Sequence, residues 1–182
     1  GGINAVHAPR TEVDHRAPYE LVKKLRASIL VMGALAGRIK EVSVALPGGC
    51  AIGARPIDIH LKGLRKMGAS IAVEGGFVNL FSKGLDGTRI CLDFPSVGAT
   101  ENLIMAACLA DGDTLLENTA TEPEIIDLME FLKSMGADIK TSGNIVNIKG
   151  IGSLHGTDFT VMDDRIQAGT YLIAGLLNRS KI

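Results

Sequence analysis

The chain has 182 residues, of which 46% are hydrophobic and 21% charged, and its formal net charge is −1. This composition is typical of a globular protein and argues against intrinsic disorder. The scattered basic residues argue against a nucleic-acid partner or an anionic membrane surface. Because no apolar run approaches roughly 18 residues, we expect neither a membrane-spanning helix nor a signal peptide.

The three cysteines, Cys50, Cys91 and Cys108, are far apart and odd in number. This argues against a disulfide scaffold and favours a reducing compartment. No Cys-x-x-Cys or His-x-x-x-His spacing occurs, which argues against a structural zinc site. We expect the protein to use no metal and no cofactor. Cys91 stands in the strand-like RICLDF and Cys108 in the apolar IMAACLA. Both are predicted to be core residues.

The predicted elements follow one order twice along the chain: a helix rich in small residues, a strand, an amphipathic helix, and two strands. In the first copy the small-residue helix is 28–36 and the strand is 41–46. The amphipathic helix carries apolar residues at helical spacing over 57–67, and Gly68 follows at its end. The last two strands are joined by Gly75-Gly76, a plausible hairpin turn.

The second copy has its small-residue helix at 100–110 and its strand at 114–118. Its amphipathic helix is predicted over 125–135, followed by Gly136 and a hairpin around Ser142-Gly143. The segments 59–80 and 127–148 also match residue by residue, which indicates an internal repeat. The fold class is therefore α/β, built from repeated helix-strand-helix-strand-strand units.

A third copy is split between the two ends of the chain. Ile3-Asn4 matches the end of each hairpin, and 168–178 matches the small-residue helix. We therefore expect residues 1–163 to hold two full repeats and the last strand of a third, and residues 164–182 to hold the first helix of a truncated repeat. The chain would be a piece of a larger protein, or a lobe whose missing strands come from elsewhere, either by self-association or from a missing second lobe.

The segment LPGGCAIGARPIDIH, at 46–60, places Cys50 behind two glycines and five residues before Arg55. A thiol can donate a proton or act as a nucleophile, and the glycines let a loop move over a substrate. Arg55 could hold an anion or steady a thiolate. The alternative is a small buried cysteine in an ordinary turn.

Two loop-to-helix junctions are candidate anion sites. Arg55-Pro56 stands where a helix begins, and Ser96, Val97 and Gly98 stand at the start of the next small-residue helix. A solvated arginine and an ordinary serine helix cap are the alternatives. His60 lies on the helix after Arg55, and its position leaves open which way it faces.

These segments resemble the active-site loop and substrate loops of the enolpyruvyl transferase family, in the branch that acts on UDP-N-acetylglucosamine. The resemblance covers the chain from about Tyr19 to its end and is specific, since the branch of aromatic biosynthesis lacks the Gly-Gly-Cys loop. It implies two lobes of three repeated α/β units around inward helices, an inside-out α/β barrel. The matching segments are LPGGCAIGARPIDIH at 46, RASILVMG at 26, PSVGATEN at 95, EPEIIDL at 122 and DRIQAGTY at 164.

The resemblance implies that the sugar 3-hydroxyl adds to C2 of phosphoenolpyruvate and that phosphate then leaves. This would be the first committed step of peptidoglycan synthesis, in the cytoplasm. Cys50 would supply the proton to C3 and would be the residue that fosfomycin alkylates. The remaining candidates would bind the UDP-sugar. They are Arg26 for the sugar nucleotide, Arg55, Pro56, Ile57, Asp58 and Ile59 for uracil and the nucleotide, His60 beside them, and Ser96, Val97 and Gly98 for the diphosphate.

The sequence departs from the family pattern at several places. Phe94 and Pro95 stand where the family usually has a lysine, Gln167 replaces a glutamate, and Ala34 stands where proline is frequent. The family's N-terminal Lys-Asn pair and its second lobe are expected to lie outside this chain. The chain alone is thus expected to be weakly active or inactive, and the alternative to an enzyme is a non-catalytic fragment or UDP-sugar-binding module.

Overall fold

The computed structural model describes residues 16–17, 19–22, 26–46 and 57–178. Within these residues, two four-stranded sheets and the helices that connect their strands form the fold. The first sheet has the order β1-β2-β4-β3, with β1 parallel to β2 and the other pairs antiparallel. Its strands are β1 Arg16–Ala17, β2 Glu41–Ala45, β3 Ser70–Glu74 and β4 Phe77–Phe81.

The second sheet repeats this topology in the order β5-β6-β8-β7, again with one parallel pair, β5 and β6. The matching topologies agree with the repeat seen in the sequence. The short first strand of each unit, parallel to the second, was not part of the predicted unit. The strands are β5 Arg89–Cys91, β6 Asp113–Glu117, β7 Asp138–Ser142 and β8 Ile145–Lys149.

Helices connect the strands of each unit. In the first unit a four-residue helix α1 and a 3-10 helix precede α2, and α3 leads into the hairpin. In the second unit α4 and α5 occupy the corresponding places, and α6 follows β8. The bounds are α1 Tyr19–Val22, the 3-10 helix Arg26–Leu30, α2 Val31–Ala36, α3 Asp58–Lys66, α4 Val97–Ala107, α5 Pro123–Ser134 and α6 Arg165–Asn178.

The amphipathic helices α3 and α5 end in the same hydrogen-bonded cap, as their glycines predict. After α3, the N–H of Gly68 donates to the carbonyl of Arg65, and the N–H of Ala69 donates to that of Leu64. Gly68 has φ +92° and Gly136, in the same place after α5, has φ +101°. This is the Schellman arrangement, in which a left-handed residue satisfies the last helical carbonyls.

Both hairpins are tight. Glu74 pairs with Phe77, so Gly75 and Gly76 form the two-residue turn, both with positive φ. In the second unit Ser142 pairs with Ile145, so the turn is Gly143-Asn144. The prediction of Ser142-Gly143 was one residue early, because the serine still belongs to the strand.

Helices α2, α3, α4 and α5 pack together against the two sheets, as expected of an inside-out α/β fold. Each sheet buries one face against the helices: strand β8 alternates exposed and buried residues along its length. Helix α4 is central and packs against α2, α3 and α5. Glycines allow this close approach, since a Cβ on Gly63 of α3 would lie 2.5 Å from Leu103 Cδ2, and one on Gly33 of α2 would overlap the backbone oxygen of Asn102.

Helix α6 presents an apolar surface to solvent. Leu172, Ile173 and Leu176 are exposed by 58%, 60% and 79%. Gln167, which replaces a glutamate of the family pattern, lies in the first turn of α6. Its backbone N–H donates a hydrogen bond to Asp164 Oδ1 at 3.1 Å. The division of the chain at 163/164 and the split third repeat stay predictions, and Ile3-Asn4 lies outside the described residues.

Candidate functional site

The structure describes part of the predicted site. Cys50, Arg55 and Pro56 lie outside the described residues, as does the side chain of Arg26, whose backbone begins the 3-10 helix. Two of the predicted segments are fully described: the start of α3 and the start of α4. The residues of these two segments are Ile57, Asp58, Ile59 and His60, and Ser96, Val97 and Gly98.

The start of α4 is an ordered helix N-terminus. Ser96 has extended backbone angles and is the N-cap, and its Oγ accepts a hydrogen bond from the N–H of Ala99 at 3.4 Å. Val97 and Gly98 supply the first N–H groups of the helix, which lack acceptors within the helix. The serine therefore acts as the ordinary cap, and the same geometry leaves a partial positive charge suited to an anion.

The start of α3 lies against the start of α4. Ile57 and Ile59 are half-buried, Asp58 is exposed, and His60 is 3% exposed. A Cβ on Gly98 would come within 3.3 Å of His60 Cε1 and 3.6 Å of its Nε2. A side chain at position 98 would thus crowd the ring. The fold therefore brings together two segments that are 36 residues or more apart in sequence.

A buried asparagine that the sequence analysis missed ties this region together. Asn102 is fully buried on α4 and bonds to three other elements. Its Oδ1 accepts from the N–H of Gly33, and its Nδ2 donates to the carbonyl of Ile29 at 3.1 Å and lies 2.9 Å from His60 Nδ1. An asparagine in the mostly apolar segment 97–107 was the available signal, because a buried amide requires partners.

An ion pair holds the loop before α4 to α3. Lys62 Nζ lies 2.6 Å from Asp93 Oδ2, and both side chains are more than half exposed. The hydrogen bond from Lys62 and its charge lower the pKa of Asp93. Phe94, which stands where the family pattern has a lysine, is 63% exposed. The positive charge next to this loop therefore comes from Lys62 of α3.

Three of the family segments meet at one charged cluster. Arg165 of α6 donates two hydrogen bonds to Glu124 of α5, at 2.8 and 3.0 Å. The hydrogen bond from Arg165 is the main cause of a lowered pKa at Glu124. Glu101 of α4 is half-buried, and desolvation, followed by repulsion from Glu124, raises its pKa. This ion pair docks the beginning of α6 on the second unit.

The two described cysteines differ from each other. Cys108 is buried, as predicted, and burial raises its pKa to about 12. The prediction that Cys91 is a core residue was wrong, since it is exposed. β5 alternates exposed, buried and exposed residues, with Ile90 facing the core, so its neighbour Cys91 faces outward.

Within the described ranges, no group of three or more His, Cys, Asp or Glu residues is placed to hold a metal ion. None of the helices in that part of the chain is both long and apolar enough to cross a membrane.

Comparison with curated proteins finds relatives that are 51–53% identical to this chain in sequence. The chain is 52% identical over 170 residues to UDP-N-acetylglucosamine 1-carboxyvinyltransferase 1 of Caldanaerobacter subterraneus, covering 93% of this chain and 41% of that protein. It is 53% identical over 173 residues to UDP-N-acetylglucosamine 1-carboxyvinyltransferase 2 of Staphylococcus saprophyticus, and the match covers 94% of this chain and 41% of that protein. Form 2 from Carboxydothermus hydrogenoformans is 51% identical over 182 residues, covering 100% and 43%. The chain thus spans about two fifths of the length of these relatives.

Solved structures show the same fold. The enolpyruvyl transferase NikO from Streptomyces tendae superposes with a TM-score of 0.76 at 23% identity, covering 89% of this chain and 39% of that one. EPSP synthase from Acinetobacter baumannii superposes with a TM-score of 0.64 at 25% identity, covering 82% and 34%. The family model of EPSP synthase (3-phosphoshikimate 1-carboxyvinyltransferase) matches residues 3–182. The chain therefore belongs to the EPSP synthase family of enolpyruvyl transferases.

Proposed function

We propose that this chain binds UDP-N-acetylglucosamine and supplies the proton-donating cysteine for transfer of the enolpyruvyl group from phosphoenolpyruvate to the sugar 3-hydroxyl. The observation that carries the proposal is the 51–53% identity, over nearly the whole chain, to relatives named for that reaction. The EPSP synthase structure from Acinetobacter baumannii is 25% identical to this chain. The proposal is limited to this chain's share of the reaction, since the chain spans two fifths of those relatives.

The reaction is an addition followed by an elimination. The 3-hydroxyl oxygen bonds to C2 of phosphoenolpyruvate while Cys50 gives its proton to C3, and the hydroxyl proton goes to a base. The C2–O bond to phosphate then breaks, C3 loses a proton, and the enol ether and inorganic phosphate are released. A cysteine suits the first step because its thiol, with an ordinary pKa of about 8.5, holds a proton near neutral pH and can release it.

The arrangement of α3 and α4 supports the assignment of the nucleotide-sugar to this region. Ser96, Val97 and Gly98 offer a helix N-terminus for the diphosphate. Ile57, Asp58 and Ile59 remain partly accessible at the neighbouring helix start and are assigned to the nucleotide, together with Arg55 and Pro56. Arg26 is assigned to the sugar nucleotide as well. His60 contributes at the junction of the two helices.

We further assign the reaction to the cytoplasm, consistent with cysteines that are dispersed and odd in number. The partners are the two small substrates, without nucleic acid or membrane. The exposed apolar side chains of α6 favour association with another polypeptide segment of the same fold, such as a second lobe, or with a second copy of this chain. A metal or organic cofactor has no role in the proposed chemistry.

A chimera tests the catalytic part of the proposal. This chain replaces the matching 43% of the Carboxydothermus hydrogenoformans relative, and phosphate release from phosphoenolpyruvate is measured with UDP-N-acetylglucosamine. Cys50→Asp should retain activity, because a carboxylic acid can deliver a proton. Cys50→Ser should lose about 10²–10⁴-fold, because a hydroxyl is too weak an acid. The 182-residue chain alone should bind the sugar nucleotide weakly and release little phosphate.

Two results would change the assignment. A Cys50→Ser chimera as fast as the unsubstituted one would remove Cys50 as the proton donor. A folded chimera that binds UDP-N-acetylglucosamine and releases no phosphate would favour the alternative, a non-catalytic UDP-sugar-binding module.

A further inference from the structure

The segment between β8 and α6, residues 151–164, has no regular secondary structure, and we call it the strap. Its first residue is held in place, because the N–H of Ile151 donates to the carbonyl of Cys108 at 2.9 Å. From there the strap runs back along α5, from the end of that helix to its beginning. Among the described residues, four contacts in chain order join the strap and the start of α6 to α5: His155 with Met135, Phe159 with Phe131, Met162 with Asp127, and Arg165 with Glu124.

Helix α5 provides a separate face for these contacts. The partners on α5 recur every three or four residues, so they lie in one stripe along the helix. A second stripe, at other positions, faces the core. The strap stripe is Glu124, Asp127, Phe131 and Met135, and the core stripe is Ile125, Met129 and Leu132. The strap can therefore leave α5 without disturbing the contacts of the core.

The strap is longer than the path that it covers. The rise of a helix from Glu124 to Met135 is about 16 Å, whereas the chain from His155 to Arg165 could extend to roughly 33 Å. The start of α6 could therefore move by on the order of 15 Å without breaking the contact at His155. Such slack allows a movable arm, which a taut connection would not.

The contacts near α6 are exposed and individually weak. The side chains of Arg165 and Glu124 are 45% and 36% exposed. An exposed ion pair changes a two-state equilibrium by about two- to fivefold. The hydrogen bond from the N–H of Met162 to Asp127 Oδ2 is long, at 3.4 Å. Because release of an inner contact lengthens the loop that the outer contacts must close, the strap should open from its α6 end.

The Arg165–Glu124 ion pair is the outermost of these contacts, so it sets the direction in which α6 leaves α5. Glu101 of α4 is close enough to Glu124 for repulsion between the two carboxylates to contribute to the raised pKa of Glu101. Release of Arg165 would leave these two carboxylates without their counter-charge. The pair is therefore favoured by more than its own attraction.

We infer that the strap and α6 form a movable arm that opens from its α6 end, and that the Arg165–Glu124 ion pair is the latch that holds the arm closed on α5. The arm carries the exposed apolar side chains of α6. The latch thus determines whether that apolar surface is held at one angle to the second unit or moves relative to it.

Amide measurements on the ¹⁵N-labelled chain test the latch. With Glu124→Gln, exchange of the Met162 N–H with water should rise about two- to fivefold, the heteronuclear NOEs of α6 should fall, and the His155 N–H should not change. Glu124→Arg should have a larger effect, and Arg165→Glu added to it should reverse that effect. Because 1 M salt screens charges beyond about 3 Å, it should loosen Met162 in the unsubstituted chain as well.

The matched control is the other ion pair in which an arginine donates two hydrogen bonds to a glutamate. Arg89 of β5 donates to both carboxylate oxygens of Glu117 of β6, at 2.7 and 2.8 Å. This pair lies within the second sheet, away from the strap. Glu117→Gln removes the same charge and should leave the exchange of Met162 and the NOEs of α6 unchanged.

The substitution Phe159→Ala tests the order of opening. It removes an inner contact and leaves the atoms of the latch in place, yet it should loosen both Met162 and α6, because the loop that the latch closes becomes longer. The arm is refuted if Phe159→Ala leaves Met162 and α6 unchanged, or if Glu124→Gln loosens His155 as much as Met162. Equal effects of Glu124→Gln and Glu117→Gln on α6, or no effect of either, would refute the latch.

Discussion

Replacing Gly63 with alanine should destabilise the chain although alanine is the better helix former. Gly63 lies on α3 where a Cβ would come within 2.5 Å and 2.6 Å of the two terminal carbons of Leu103. Leu103 is fully buried on α4, so its tip has no free space into which it can move. Overpacking of this kind costs about 1–3 kcal/mol, and the helix propensity of alanine offsets about 1 kcal/mol. The expected net loss is up to about 2 kcal/mol.

The assay is thermal and urea unfolding followed by circular dichroism. For a chain of this size, at roughly 2–4 °C per kcal/mol, the loss corresponds to a decrease in Tm of up to about 8 °C. Gly169→Ala in α6 is the matched control, because a Cβ there meets nothing within 4 Å, and it should stabilise by about 0.5–1 kcal/mol.

A double mutant tests the cause of the effect. Leu103→Ala alone should cost about 2–5 kcal/mol, since it leaves a cavity. In that background the carbons that crowd position 63 are gone, so Gly63→Ala should become stabilising. If Gly63→Ala stabilises the unsubstituted chain as Gly169→Ala does, α3 and α4 do not pack as closely as described, and the proximity of His60 to Gly98 loses its support.

Three further predictions concern single side chains. Thr114→Val should stabilise the chain by about 1 kcal/mol in urea unfolding, because the Thr114 hydroxyl is buried without a hydrogen-bond partner in the described part of the chain. Thr100→Val should instead destabilise it by about 1–3 kcal/mol, because the Thr100 hydroxyl accepts a hydrogen bond from a backbone N–H. Equal effects of the two substitutions would contradict this reasoning. Peptide mass mapping after brief native alkylation should find Cys91 modified and Cys108 modified only after unfolding, and early labelling of Cys108 would contradict its burial. Glu101→Gln should stabilise the chain at pH 7 and not at pH 3. The pKa of Glu101 is raised in the folded state, so ionisation of Glu101 lowers the stability of the fold as the pH rises above the unfolded pKa of about 4.3. A stabilisation by Glu101→Gln that is largest at low pH would refute this.

The sequence predicted the elements that repeat and have a regular period. Gly68 and Gly136 marked the ends of α3 and α5, because both helices need a left-handed residue there. Their apolar stripes followed the helical period over three turns, long enough to be recognised. The likeness of the two sheets followed from the internal repeat, since two copies with the same pattern of burial adopt the same topology.

The remaining features depend on contacts between distant segments. Cys91 was misplaced because β5 has only three residues, too few to show which of them face the core. The burial of His60 depends on Asn102 and Gly98, both of which come from another helix. A sequence pattern along α3 contains neither partner. Likewise, the serine cap at Ser96 and the anion-binding site predicted there use the same local residues, so the pattern alone could not separate them.

The central claim is that this chain binds UDP-N-acetylglucosamine where α3 and α4 begin. The most direct test is a titration of the ¹⁵N-labelled chain with this ligand, followed by amide chemical shifts, with 3-phosphoshikimate as the matched control ligand. We predict saturable shifts at residues 57–60 and 96–98, none in the hairpin 138–149, and no response to 3-phosphoshikimate. Saturable shifts with 3-phosphoshikimate alone, or shifts confined to residues away from the two helix starts, would contradict the claim.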